Sequence, residues 1–361
     1  MTGELTNTQP AETMPVREAH ALPVDNLAAF LAEHLEGFSP PLNIAEFRGG
    51  QSNPTYKLTT GGGTLGGATY VLRRKPPGKL LPSAHAVDRE YRVMTALGRT
   101  GVPVPRTYLL CEDADVAGTP FYVMEYLEGR IFWDVTLPGM SGGERGAIYD
   151  AMNEAIAHLH GVDYEAVGLG DFGRAGGYVA RQIARWTKQY RASETETNPA
   201  MERLIEWLPV NLPEDDETTI VHGDYRLDNM VFHPTEPRIL GVLDWEISTL
   251  GHPLADFAYH CMLWRLSKDS YRGLVGHDIA ALGIPSEEAY VAAYCARTGR
   301  GDLANWDYYA AYNMFRMAAI LQGIMGRVRD GTAASAEAAR TGAMARPVAE
   351  AAWAQVEKMG G

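Results

Sequence analysis
Cysteine is scarce in this chain. Only Cys111, Cys261 and Cys295 occur in 361 residues, and no two form a Cys-x-x-Cys pair. That excludes a disulfide framework and a cysteine-built zinc site, and it fits a reducing, cytoplasmic setting. Long apolar runs are missing too. No stretch reaches the roughly 18 apolar residues a membrane-spanning helix needs, and the polar opening MTGELTNTQPAETMPVREAH lacks the apolar segment of a signal peptide. Basic charge is in deficit: 32 Lys and Arg face 45 Asp and Glu, a formal net charge of −13. A nucleic-acid partner would require a basic face, so none is expected. Finally, there is no G-x-x-x-x-G-K-[ST] segment, which excludes a P-loop NTPase.

What is present suggests two lobes, because 361 residues exceed one ordinary core. Residues 1–22 read as a flexible tail, with Pro10 and Pro15 and little periodicity. Residues 23–125 combine a helical stretch (24–35), short strands around glycine-rich segments (47–74) and a helix within 83–101 ended by glycine. Residues 126–361 are mostly helical in pattern, at about 141–160, 178–192, 198–207, 254–266, 286–297, 303–325 and 334–358, interrupted by two short strands. The expected class is α+β, with a strand-rich first lobe and a larger, helical second lobe.

The stretch VHGDYRLDNMVF (221–232) carries chemistry. His222, Asp224 and Asn229 have the H-x-D-x-x-x-x-N spacing of kinase catalytic loops. There the aspartate takes the proton of the attacking hydroxyl and the asparagine binds a metal ion. MVF, a turn and ILGVLDW (239–245) form a hairpin that returns a second carboxylate, Asp244, to the loop. Asp244 and Asn229 supply the hard oxygen donors that Mg²⁺ prefers. The bland alternative is a polar hairpin with capping aspartates. A literal D-F-G at 171–173 precedes the loop in a glycine-rich stretch, so Asp171 is read as a loop residue.

The first half should hold the nucleotide. RGGQSN (48–53), with Gly50, Ser52 and Asn53, offers backbone N–H groups to phosphates. In YVLRRK (70–75), alternation puts Val71 and Arg73 on one face and Tyr70 and Leu72 on the other. Arg73 becomes the phosphate-side cation, with Lys75 in reserve and Glu90 as its helical partner. Without the downstream motif, the Arg73–Glu90 pair would read as a surface ion pair. VMEYLEG (123–129) suits a hinge whose backbone at Glu125 and Leu127 meets an adenine edge.

Together these segments resemble the aminoglycoside phosphotransferase family, whose fold is similar to that of protein kinases. The resemblance runs from about residue 27 to 345 and is most specific in VHGDYRLDN and VLDWEISTLGHPLADFA. YVLRRKPPGKLLPSAHAVDREYRVM and MFRMAAILQGIMGRVRDG look most like the kinase-like domain fused to some acyl-CoA dehydrogenases and its free-standing bacterial relatives. The resemblance implies ATP and Mg²⁺ as cofactors, Asp224 as base, Asn229 and Asp244 as metal ligands and the Arg73–Glu90 pair beside the phosphates. His222 and Asp256 would brace the loop. Where the kinase pattern has lysine, this chain has Arg73, which binds phosphate with a different geometry.

The acceptor expected is a small hydroxylated molecule. Residues 251–361 hold 11 acidic and 11 basic side chains, which does not suit a polycation such as an aminoglycoside. Arg316, Arg327 and Arg329, with the aromatics around Trp306–Phe315, suggest a partly apolar, anionic acceptor, although aromatics at such spacing are commonly core. The nearest subgroup is linked to phosphorylation of hydroxyacyl-CoA thioesters, so that acceptor ranks first by resemblance, ahead of another small alcohol and of an aminoglycoside. The competing classes are a non-catalytic binding protein on the same fold, and a protein kinase. The intact Asp224, Asn229 and Asp244 argue against the first. The absence of an A-P-E segment or long activation loop after Asp244 argues against the second.

Overall fold
The computed structural model describes residues 8–9, 13–48, 53–61, 67–78, 85–333 and 337–360. The chain divides into two compact units. The first takes Met1–Trp133, Glu165–Leu169 and Leu227–Ser248; the second takes Asp134–Tyr164, Gly170–Arg226 and Thr249–Gly361.

The first unit is built on an antiparallel sheet of β1 (Thr13–Met14), β2 (Leu42–Phe47), β3 (Thr55–Thr60), β4 (Thr69–Arg74), β5 (Thr107–Cys111) and β6 (Phe121–Glu125), in the order β1-β2-β3-β4-β6-β5. In β3, Tyr56, Leu58 and Thr60 are buried while Thr55, Lys57 and Thr59 are only partly so, the period-2 pattern of a strand. Leu27 and Leu31 of α1 (Val24–His34) pack with Tyr56, Leu58, Leu72 and Phe121 into one core. The helix α2 (Val87–Leu97) buries Val87, Glu90, Met94 and Leu97, a stripe at helical spacing with one carboxylate in it. An ionised group on an apolar stripe must find partners, and Glu90 does so below.

Residues 13–22, expected above to be loose, are tied down. Thr13 and Met14 pair with Phe47 and Glu46. The Arg17 backbone N–H and its guanidinium both bond Glu46, and His20 Nδ1 lies 2.7 Å from the same carboxylate. Arg74, on the face of β4 opposite Arg73, donates to the Tyr56 hydroxyl and to the carbonyls of His20 and Ala117. Burial works to raise the pKa of Glu46, but its bonds from Arg17 and His20 prevail and hold it at about 2, below the ordinary 4.5. A carboxyl depressed on folding stabilises above its unfolded pKa and loses that contribution as pH falls through the folded one. Glu46→Gln should therefore cost about 2 kcal/mol at pH 7, discounted for the half-exposed Arg17. The difference from wild type should vanish as pH falls from about 4.5 towards about 2. Urea titrations at pH 7 and 3 measure both, and an equal cost at the two pH values would contradict it.

Helices dominate the second unit, joined by a two-stranded pairing of Thr219–Val221 with Thr249–Gly251. Ser141 and Glu144 form a capping box at the start of the helix Gly142–His160. Asn198 caps Pro199–Val210, and the His252 side chain caps Pro253–Cys261. The helix Trp306–Arg329 runs through the unit's core and is buried along most of its length, from Tyr308 to Gly326. Tyr308, Tyr309, Tyr312, Phe315 and Trp264 are buried in that core, so packing explains them without a ligand. The expected helix 334–358 is broken into Ala338–Ala343 and Ala345–Lys358. Pro347 accounts for the break, since its ring clashes with the carbonyl four residues back, at Ala343.

Candidate active site
The first unit gathers four charged groups at one point. Arg73 leaves β4 towards α2, and its Nε lies 2.9 Å from Glu90 Oε2. This contact is an ion pair without hydrogen-bond alignment. The fork's other end places NH2 2.7 Å from Asp244 Oδ1 and 3.6 Å from Glu246 Oε2. Glu90 is 1 % exposed and also accepts Asn53 Nδ2 at 2.8 Å and the Tyr122 hydroxyl at 3.1 Å. Burial raises the Glu90 pKa to about 7 against the pull of Arg73. Burial opposes the charge on Arg73, yet Glu90 and Asp244 outweigh it and hold the guanidinium protonated.

Asp244 reaches this point through the hairpin of Met230–Phe232 and Ile239–Val242. Met230 pairs with Val242, and the Leu243 N–H donates to the Asn229 carbonyl at 2.8 Å. Asn229 and Asp244 therefore leave the same open end of one hairpin. Asp244 has φ of +65°, a left-handed conformation uncommon for residues other than glycine and tolerated best by Asp and Asn. Strained backbone of this kind collects at functional positions.

The donor set fits Mg²⁺. Among the described residues, no group of three or more His, Cys, Asp or Glu side chains could hold a metal ion. One carboxylate and one amide oxygen, with phosphate oxygens and water completing the shell, is how Mg²⁺ usually binds nucleotide. The Asp244 carboxylate already attracts a cation, Arg73.

Other residues singled out from the sequence are placed as follows. Gly50 and Ser52 lie outside the described residues. The Asn53 side chain is committed to Glu90 and, through Oδ1, to His85 Nδ1 at 3.1 Å, so it braces α2. The Glu125 N–H donates to the Arg106 carbonyl, and the Arg106 N–H donates in turn to the Glu125 carboxylate at 3.2 Å. Leu127 packs under the hairpin, where a side chain at Gly241 would meet its Cδ1 at 2.4 Å. Asp171 is exposed beside the buried Phe172.

Asp224 belongs to the second unit. Its Oδ1 accepts the Tyr259 hydroxyl at 2.6 Å and its Oδ2 accepts Arg226 Nε at 3.1 Å. The loop before it is held by its backbone. Asp256, 3 % exposed, accepts the N–H groups of His222 and Gly223, each at 2.8 Å, and lies 3.2 Å from His160 Nε2. The His222 ring accepts the Asp224 N–H at 3.1 Å. Arg316 donates to the Gly223 carbonyl at 2.6 Å. Arg316 is therefore a buried brace of the loop, contrary to its expected place among acceptor-binding arginines. Arg329 is exposed and pairs with its neighbour Asp330.

Sequence reasoning missed Glu246, Tyr122, Arg226 and Tyr259. Two of them carried a signal. Glu246 follows Asp244 by two residues, and Tyr259 follows Asp256 by three on one helix.

The sequence from residue 43 to 312 matches the model of the phosphotransferase enzyme family, usually abbreviated APH. The chain belongs to that family. It is 48% identical over 351 residues to mouse acyl-CoA dehydrogenase family member 10, covering 96% of this chain and 32% of that protein. The chain thus spans about a third of the length of that relative. A solved structure from Ralstonia eutropha JMP134, provisionally named an aminoglycoside phosphotransferase, is 55% identical, with a TM-score of 0.86 over 94% of this chain and 99% of that one. A thermostable mutant of an aminoglycoside phosphotransferase, solved as a ternary complex with ADP and hygromycin B, shares the fold at 14% identity, with a TM-score of 0.58 over 91% of this chain and 98% of that one. The two-lobed α+β class expected from the sequence is the class of this family. No helix among the described residues is long and apolar enough to cross a membrane.

Proposed function
We propose that this phosphotransferase moves the γ-phosphoryl group of ATP to the hydroxyl of a small molecule, with a hydroxyacyl-CoA thioester as the best-matched acceptor. The observation that carries the reaction type is Arg73, held by Glu90 and directed at Asp244. A cation fixed by a buried acid is preorganised to meet phosphate oxygens without reorganising during the reaction. Asp224, with both carboxylate oxygens engaged by donors, suits a proton acceptor of fixed orientation.

In this reading Arg73 binds the non-transferred phosphates, and Asn229 and Asp244 hold the metal. Mg²⁺, when bound, neutralises charge on the phosphates. Asp224 orients the acceptor O–H. The acceptor oxygen forms a bond to Pγ as the bond from Pγ to the β-phosphate oxygen breaks, and the hydroxyl proton passes to the Asp224 carboxylate and then to solvent. ADP leaves. Positioning supplies most of the rate in reactions of this class.

Two features support the acceptor class. The relatives above include an acyl-CoA dehydrogenase family member, and residues 251–361 are balanced in charge, unlike a pocket for a polycation. The test is ADP release by the purified protein with Mg-ATP and, in turn, 4-hydroxyacyl-CoA thioesters, simple alcohols and kanamycin. Turnover with the thioesters is expected. Turnover with kanamycin alone would make aminoglycosides the acceptors, and labelling of casein would make the protein a protein kinase.

A further inference from the structure
Asp256 and Tyr259 lie three residues apart on the helix Pro253–Cys261, a spacing that puts both side chains on one face. They divide one task. Asp256 takes the backbone N–H groups of His222 and Gly223, and Tyr259 takes the carboxylate of Asp224. Tyr259 is itself fixed: it is 5 % exposed, and the Arg316 guanidinium lies 4.6 Å from the centre of its ring. The same arginine holds the Gly223 carbonyl. Gly223, with φ of +84°, therefore has its N–H tied to Asp256 and its C=O tied to Arg316, and Asp224 follows it directly.

We infer that Tyr259 is a positioning residue for phosphoryl transfer. Its hydroxyl fixes the orientation of the Asp224 side chain and leaves Oδ2, whose resting partner is Arg226, as the oxygen that takes the acceptor's proton. This rests on the role proposed for Asp224. An aspartate has discrete wells about its first torsion and a broad second torsion, so backbone anchoring alone does not aim its oxygens. A phenol donating to Oδ1 does, and its ring is held by burial and by the neighbouring Arg316 guanidinium.

Tyr259→Phe removes only the O–H and keeps the ring over Arg316. The expected result is a kcat lower by roughly ten- to hundredfold, the scale of a 1 Å misplacement, with the KM for ATP and the unfolding midpoint unchanged. A crystal structure of the variant should show the Asp224 carboxylate rotated or split between rotamers while the Arg316–Gly223 bond persists. In an Asp224→Asn background the second substitution should add nothing, because both act through one carboxylate. An unchanged Asp224 rotamer, a kcat within about twofold of wild type, or the same fold-loss in the Asp224→Asn background would each overturn the inference. Full turnover of Asp224→Asn alone would instead remove the base, a separate failure. The assay uses Mg-ATP with a 4-hydroxyacyl-CoA thioester, and the crystal structure requires no acceptor.

Discussion

Asp224→Asn should bind Mg-ATP as the wild type does and lose turnover by roughly 10²- to 10⁴-fold, the usual contribution of a positioned general base. The amide is nearly isosteric, and its oxygen can still accept the Tyr259 hydroxyl that now bonds Oδ1. Its NH2 group replaces the oxygen that accepts Arg226 Nε, so it can neither receive a proton nor pair with that cation. The side chain is partly exposed, at 22 %, and its bonds from Tyr259 and Arg226 come from side chains, so the unfolding midpoint should stay put. Nucleotide affinity by calorimetry and kcat by ADP release test the two halves. Near-wild-type turnover would remove Asp224 from the base role. Lost nucleotide binding would show that the residue acts on the nucleotide as well as on the acceptor.

Much of this was legible because spacing and alternation are local properties. Asp244 follows Asn229 by a hairpin, and the hairpin's register is set by the apolar pattern of MVF and ILGV. The direction of Arg73 follows from strand period. Glu90 is one carboxylate on an otherwise apolar helical stripe, which marks it as paired. The remainder depended on contacts between distant segments, which no period encodes. The side chain of Asn53, in the segment read as a phosphate loop, is held by Glu90 and His85, 37 and 32 positions away. Arg316 could be read as a ligand-binding cation because arginine in a helix is usually exposed; only packing places it beneath Gly223. Arg17 and His20 looked like tail residues, since their partner Glu46 lies 26 to 29 positions away.

The second aspartate of this loop system should behave in the opposite way. Asp256→Ala is expected to cost roughly 3–5 kcal/mol of stability, as breaking a buried ionic contact does. The carboxylate is 3 % exposed, and it satisfies two buried N–H groups as well as facing His160. Burial works to raise its pKa, but His160, His222 and the backbone donor together hold it below the usual range. Without it, the N–H groups of His222 and Gly223 are left in the protein interior unpaired, each at about 1–3 kcal/mol. For a unit of this size that corresponds to a fall in melting temperature on the order of 10 °C. Asp256→Asn should be intermediate, since its oxygen accepts one N–H while its NH2 opposes the other. Because Gly223 precedes Asp224, turnover should fall with the fold in both variants. Cooling below the variant's transition should recover part of that loss, whereas no temperature recovers Asp224→Asn. Thermal melts beside turnover at two temperatures separate the cases. A melting temperature for Asp256→Ala within about 2 °C of wild type, under 1 kcal/mol for such a unit, would mean that Arg316 and His222 hold the loop without Asp256.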